Sequence, residues 1–305
     1  MNMKTQILIL LSAVFFMHGA FAEETFQVKT QSSRWKKTNN AYTLQQLEKG
    51  ADRLVILFTP KANAWYRFDW TTRCSDATRS AKMGVRIERN GKKGRFQFPA
   101  STKWIERSLF FSVQDTNRIK IDITPLECKA GIFQVQDCKI TELDQNPFSV
   151  KLISGSEDGA ADSLYRYCQK TTGAKIVPTN AFLAGKNALE LNAGGKAEIL
   201  FQTVPFPVQR GKEYQLKFWA QSDSLNAMAM NISSWSPWGH SGKHFYKRET
   251  IKLGSECQEF SLLVKIPDDF SASPDLQDGA SVIFESIKGE NGKILLSDIS
   301  FAEVK

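Results

Sequence analysis

Gly211-Lys212-Glu213-Tyr214-Gln215-Leu216-Lys217-Phe218-Trp219-Ala220 is the stretch on which the fold turns. Tyr214, Leu216, Phe218 and Ala220 alternate with Gln215, Lys217 and Trp219, and a period of two belongs to a strand with one buried face and one open face. On strict alternation Trp219 shares the open side with Gln215, Lys217 and Gln221. The same alternation recurs in Tyr66-Arg67-Phe68-Asp69-Trp70, Val85-Arg86-Ile87-Glu88, Ile119-Lys120-Ile121-Asp122-Ile123 and Phe260-Ser261-Leu262. Turn signals such as Asn90-Gly91, Asn192-Ala193-Gly194-Gly195 and Asn291-Gly292 separate the runs. No amphipathic helical pattern exceeds about three turns, so the expected class is all-β.

The chain repeats this plan. Arg53 to Phe58 answers Lys196 to Phe201, and Tyr66-x-Phe68-x-Trp70 answers Tyr214-x-Leu216-x-Phe218. Met83 to Ile87 answers Met228 to Ile232, and Trp104 to Leu109 answers Cys257 to Leu262. Gly131 to Leu143 answers Gly292 to Val304, which sets Asp137 against Asp298 and Cys138 against Ile299. The order is kept throughout, so two tandem β-sandwich (jelly-roll) domains are expected, at 23–144 and 145–305.

The second copy resembles carbohydrate-binding modules of the galactose-binding-like type, in families four, nine and twenty-two. The likeness is carried by Ala188 to Leu191, Phe201 to Val204, Gly211 to Ala220, Glu259 to Leu262 and Gly292 to Phe301. It implies a non-catalytic protein that binds a polysaccharide or glycan on one sheet face of the second domain. It also implies that Asp298 and its counterpart Asp137 help hold a structural calcium ion, with Glu157 or Asp158 as an acidic partner; no other cofactor is required. Hard carboxylate oxygens suit that ion.

Trp219 among polar neighbours suits sugar stacking, in which pyranose C–H groups meet an aromatic face while amides and charges bind hydroxyls. The expected site comprises Trp219, Gln215, Lys217, Gln221, Asn231 on the next strand, and Trp235 and Trp238 in the loop after it. A domain contact covering Trp219, or a loop folded on its own aromatics, stands beside that reading. The alternative function is a structural or adhesive surface protein that uses jelly rolls as spacers.

Catalysis finds little support. Of three histidines, His18 lies in the leader, and His240 and His244 lack a third metal ligand in sequence. Gly239-His240-Ser241-Gly242-Lys243 breaks the nucleophile-elbow pattern, with Lys243 where Gly is needed. Residues 1–22 read as a signal peptide: Lys4, an apolar run from Ile7 to Met17, and Ala20-Phe21-Ala22. That run is too short to span a bilayer, so a secreted or periplasmic chain without a membrane span is expected.

The net charge of +8 is unevenly placed. Residues 23–144 hold 22 Lys and Arg against 14 Asp and Glu, whereas 145–305 hold 17 against 18. Arg79, Lys82, Arg86, Arg89, Lys92, Lys93 and Arg95 cluster in the first copy. They suit an anionic polymer there, or a solvated strand edge; nucleic acid is not expected without a base-stacking motif. Export allows disulfides among the five cysteines. Cys138, opposite a core Ile, is the expected buried free thiol, which leaves Cys74 with Cys128 and Cys168 with Cys257.

Overall fold

The computed structural model describes residues 25–39, 41–45, 47, 52–76, 81–113, 115–128, 131–143, 149–151, 168–171, 175–178, 187–234, 245–269 and 279–304. The first half forms β1 (Phe26–Thr30), β2 (Trp35–Thr38), β3 (Ala41–Leu44), β4 (Leu54–Phe58), β5 (Ala64–Cys74), β6 (Lys82–Arg89), β7 (Lys92–Pro99), β8 (Ile105–Val113), β9 (Ile119–Leu126) and β10 (Phe133–Leu143). The second forms β11 (Ser149–Lys151), β12 (Cys168–Thr171), β13 (Lys175–Pro178), β14 (Asn187–Gly194), β15 (Ile199–Thr203), β16 (Phe206–Pro207), β17 (Glu213–Gln221), β18 (Ala227–Ser234), β19 (Tyr246–Lys252), β20 (Gln258–Lys265), β21 (Gly279–Glu285) and β22 (Asn291–Glu303).

These strands make four antiparallel sheets. Sheet A runs β2-β3-β10-β5-β8 and sheet B runs β1-β4-β9-β6-β7. Sheet C runs β13-β14-β22-β17-β20, with β11 on β22, and sheet D runs β12-β15-β21-β18-β19, with β16 on β21. The fold is all-β, as the alternation predicts. Consecutive strands are often in different sheets: β17 pairs with β20 and β22, while β18 pairs with β19 and β21.

The inward faces are aromatic. In the first sandwich Phe68 stacks on Trp70 at 4.7 Å and Trp70 meets Phe98 edge-on at 5.4 Å, which links sheet A to sheet B. In the second, Phe218 of sheet C meets Phe284 of sheet D edge-on at 5.0 Å. Such pairs add stability beyond their buried area. Each pair of sheets therefore shares one core, and their outer faces point in opposite directions.

The internal repeat is matched in three dimensions. Tyr66 faces Glu142 and Tyr214 faces Glu303 in the corresponding ladders. The Lys61 amide donates to the Tyr66 hydroxyl at 2.8 Å, and the Gln209 amide donates to the Tyr214 hydroxyl at 2.9 Å. Asp137 and Asp298 each sit in a break of register in the closing strand, at φ 51° and 48°. That left-handed backbone is one that Asp and Asn tolerate better than most residues, and a bulge needs it.

The halves also touch. Phe110, on the outer face of edge strand β8, lies 6.0 Å from Phe206 of β16, and both are buried.

The cysteines divide. Cys74 and Cys128 are both free thiols; the Cys128 thiol donates to the carbonyl oxygens of Lys82 and Leu126, and the proximity of the two thiols lowers that of Cys74 to about 7 and raises that of Cys128. Cys138 is only partly buried against the core, and burial pushes its thiol up to about 12. The expected Cys168–Cys257 pairing does not suit the strand order. Cys168 begins β12, at one edge of sheet D, whereas Cys257 immediately precedes β20, at the far edge of sheet C, where β20 packs beside β19. Four strand spacings of about 4.8 Å separate those edges, well beyond the reach of roughly 7 Å that a bridge needs. Non-reducing peptide mapping of the oxidised protein should therefore yield a Cys74–Cys128 cross-link and Cys138 as a free thiol, alkylated slowly because its thiol is raised to about 12. A linked peptide containing Cys138 would contradict this.

Candidate functional site

β17 places its side chains as its alternation requires. Tyr214, Leu216, Phe218 and Ala220 are fully buried, while Gln215, Trp219 and Gln221 are partly exposed and Lys217 is exposed. All four outer residues lie on the face of sheet C directed away from the core. Trp219 stands opposite Glu259 of β20 and Ser297 of β22, and Lys217 stands between Ser261 and Ser300. Gln215 lies between Leu263, which is 48% exposed, and Ala302. The β22 flank is thus Ser297, which is 1% exposed beside Trp219, with Ser300 and Ala302, all small side chains. The Gln221 Oε1 atom is buried without a hydrogen-bond partner among the described residues.

Asn231 does not join this strip. It lies on β18, in sheet D, opposite Ile283 and Arg248. Its outer face is the other side of the sandwich from Trp219. It is also wholly buried, and neither side-chain polar atom has a partner among the described residues. The expected single face carrying both Trp219 and Asn231 is therefore two faces, because β17 and β18 enter different sheets. Trp235, Trp238, His240, His244, Glu157 and Asp158 lie outside the described residues, as does the leader 1–22.

For calcium, the bulge supplies a backbone reason for an aspartate at 137 and 298. Among the described residues no group of three or more His, Cys, Asp and Glu is assembled. Asp137 is exposed, and Glu157 and Asp158, the expected acidic partners of Asp298, lie outside the described residues.

In the basic cluster, Arg89 is 5% exposed and its guanidinium holds Asp115 at 2.5 Å, so it faces no partner polymer. That contact, with the Asn117 amide, keeps the Asp115 carboxyl below its usual value. Lys82 and Arg86 do lie on the outer face of sheet B, with Arg95 opposite Arg86 on β7. Arg79 and the Lys92 side chain lie outside the described residues. Three residues of that face escaped the sequence reading: Arg53, Gly84 and Asp122. A glycine within an alternating strand was the available signal; the Asp122–Arg86 pairing depends on β9 lying beside β6 and left none.

No protein-family model matches the chain, and no curated protein matches it. Solved structures do show similarity. One is the N-terminal CBM22-1–CBM22-2 tandem domain of Paenibacillus barcinonensis Xyn10C, at 10% identity and TM-score 0.34, covering 93% of this chain and 98% of that one. Another is the family 11 carbohydrate-binding module of the Clostridium thermocellum cellulase Lic26A-Cel5E, at 19% identity and TM-score 0.29, covering 44% of this chain and 84% of that one. A third is a chain from the complex of plant peptide RALF23 with FER and LLG2, at 10% identity and TM-score 0.31, covering 90% of each.

Proposed function

We propose that the chain is an exported, non-catalytic polysaccharide-binding protein built from units at 23–144 and 145–305. It takes a neutral or weakly acidic polysaccharide on the outer face of sheet C. The observation that carries the reading is Trp219, partly exposed in line with Gln215 and Lys217 and flanked by small side chains on β22. A ring so placed offers its face to a sugar, and the flanking amide and ammonium offer hydrogen bonds to hydroxyls. An open sheet face recovers little of the cost of ordering a ligand, so affinity is modest.

The test is affinity electrophoresis through gels holding soluble xylan, mixed-linkage glucan or galactan. The parent chain is expected to be retarded in at least one gel. Trp219→Ala should abolish that retardation with the thermal midpoint nearly unchanged. Retardation that survives the substitution in a folded variant removes Trp219 from the site.

One observation favours a second reading, a surface spacer. The buried Phe110–Phe206 contact ties the two units together, as a rigid spacer requires. That reading expects no retardation of the parent chain in any neutral gel.

A further inference from the structure

The outer face of sheet B is not flat. A groove of about 370 Å³ opens there, lined by Arg53, Arg86, Arg95, Gln97, Asp122 and Thr124 around Gly84. That volume lies within the range of small-molecule sites, roughly 300–1,000 Å³. Gly84 keeps the floor low, for a Cβ at that position would meet Leu126 Cδ1 at 2.7 Å.

The groove's charges do not balance. Three guanidiniums line it with a single carboxylate, and Glu88 beside it on β6 lies 3.8 Å from Arg86 and 3.7 Å from Lys93. Asp122 is 2% exposed and already committed to Arg86, to Arg53 at 3.6 Å and to Lys120 at 3.6 Å. Arg86 and Arg95 stand directly opposite one another in the β6–β7 ladder, where like charges repel. Arg95 is exposed and has no carboxylate partner among the described residues. An incoming anion would relieve this repulsion. The planar guanidinium fork favours a carboxylate, which it can hold by two parallel hydrogen bonds. Gln97 and Thr124 provide neutral groups for hydroxyls.

This arrangement is not a general property of the repeat. The row Asp122–Arg86–Arg95 corresponds in the second sandwich to Ile283–Asn231–Arg248, which lacks both the buried carboxylate and one of the two arginines.

We propose that this groove is a second binding site, for carboxylate groups of an acidic polysaccharide. Arg95 and Arg86 contact the carboxylate, Arg53 flanks it, and Asp122 positions Arg86. The groove suits a saccharide better than a nucleic acid: its aromatic, Phe96, is 4% exposed and belongs to the core, so it offers no face for base stacking. The site is separate from the Trp219 face, on the other sandwich.

The test uses the whole mature chain in gels holding polygalacturonate, dextran sulfate or neutral dextran, with a thymidine oligonucleotide as a fourth probe. Runs are made at low ionic strength and at about 0.15 M. Polygalacturonate is expected to retard the parent chain, less so at the higher salt, and neutral dextran is not. Arg95→Glu should weaken the retardation at least about tenfold, the loss expected for a charge-assisted hydrogen bond. Its thermal midpoint should hold, since Arg95 is exposed. Lys103→Glu makes the same charge change outside the groove and should leave retardation nearly unchanged. Failure of the Trp219 reading appears in the neutral-polysaccharide gels, where Arg95→Glu should change nothing, so the two ideas fail separately. Equal losses for Arg95→Glu and Lys103→Glu would reduce the effect to net charge and overturn the site. So would an unretarded parent chain, or tighter binding to dextran sulfate or the oligonucleotide than to polygalacturonate.

Discussion

Asp122→Ala should destabilise the first sandwich by about 2–4 kcal/mol, a fall in thermal midpoint on the order of 10 °C. Asp122 lies at the centre of sheet B, 2% exposed, with Arg86, Arg53 and Lys120 around it. Removing it leaves the Arg86 guanidinium, 18% exposed, without its main counter-charge and facing Arg95. Losing one partner of a fully buried pair costs roughly 3–5 kcal/mol, and the residual exposure of Arg86 lowers the figure. Asp122→Asn keeps the shape and one acceptor and should cost less. Denaturant titration monitored by tryptophan fluorescence measures both. A loss under about 0.5 kcal/mol for the alanine variant, as for an ordinary surface change, would mean that the arginines are solvated without Asp122. The positioning role assigned to it in the groove would then fail too.

Trp70→Ala should cost about 3–5 kcal/mol, the usual penalty for emptying a buried Trp site. Trp70 is 0% exposed, stacked on Phe68 at 4.7 Å and edge-on to Phe98 at 5.4 Å. The comparison with Trp219→Ala is informative because the two tryptophans lie one register step apart in equivalent strands. Trp70 pairs with Arg107 on the core side of β5, while Trp219 pairs with Glu259 on the outer side of β17. One substitution should therefore move stability strongly and the other should move binding. Urea unfolding of both variants settles the contrast. Similar large losses for both would place Trp219 in the core and withdraw it from any sugar site.

Much of this could be read in advance, and the reasons are local. Alternation in Tyr214-Gln215-Leu216-Lys217-Phe218-Trp219 is a property of extended backbone, so it assigned Trp219 to the outer face before any sheet was known. The repeat was legible because both copies keep the same order of core residues. Asp137 and Asp298, matched by position, turn out to share a left-handed bulge. Their backbone conformation was not visible, because φ leaves no periodic trace in one sequence.

Partnership between strands was a different matter. Alternation says which side of its own strand a residue faces, and nothing about which sheet receives that strand. In these sandwiches neighbours in sequence cross between sheets, so Trp219 and Asn231, twelve residues apart, end on opposite sides of the second domain. The same crossing brings Arg53, Gly84, Arg95 and Asp122, from four strands or their ends, to one groove. It also sends Cys168 and Cys257 to opposite edges. The sequence by itself determined the class of the fold, its duplication and the facing of each side chain, since these follow from the period of the strand and the burial of apolar surface. Only the tertiary structure decided which faces share a site and which charges meet, because sheet order is set by long-range pairing and by packing of the two sheets, and neither leaves a signal along the chain.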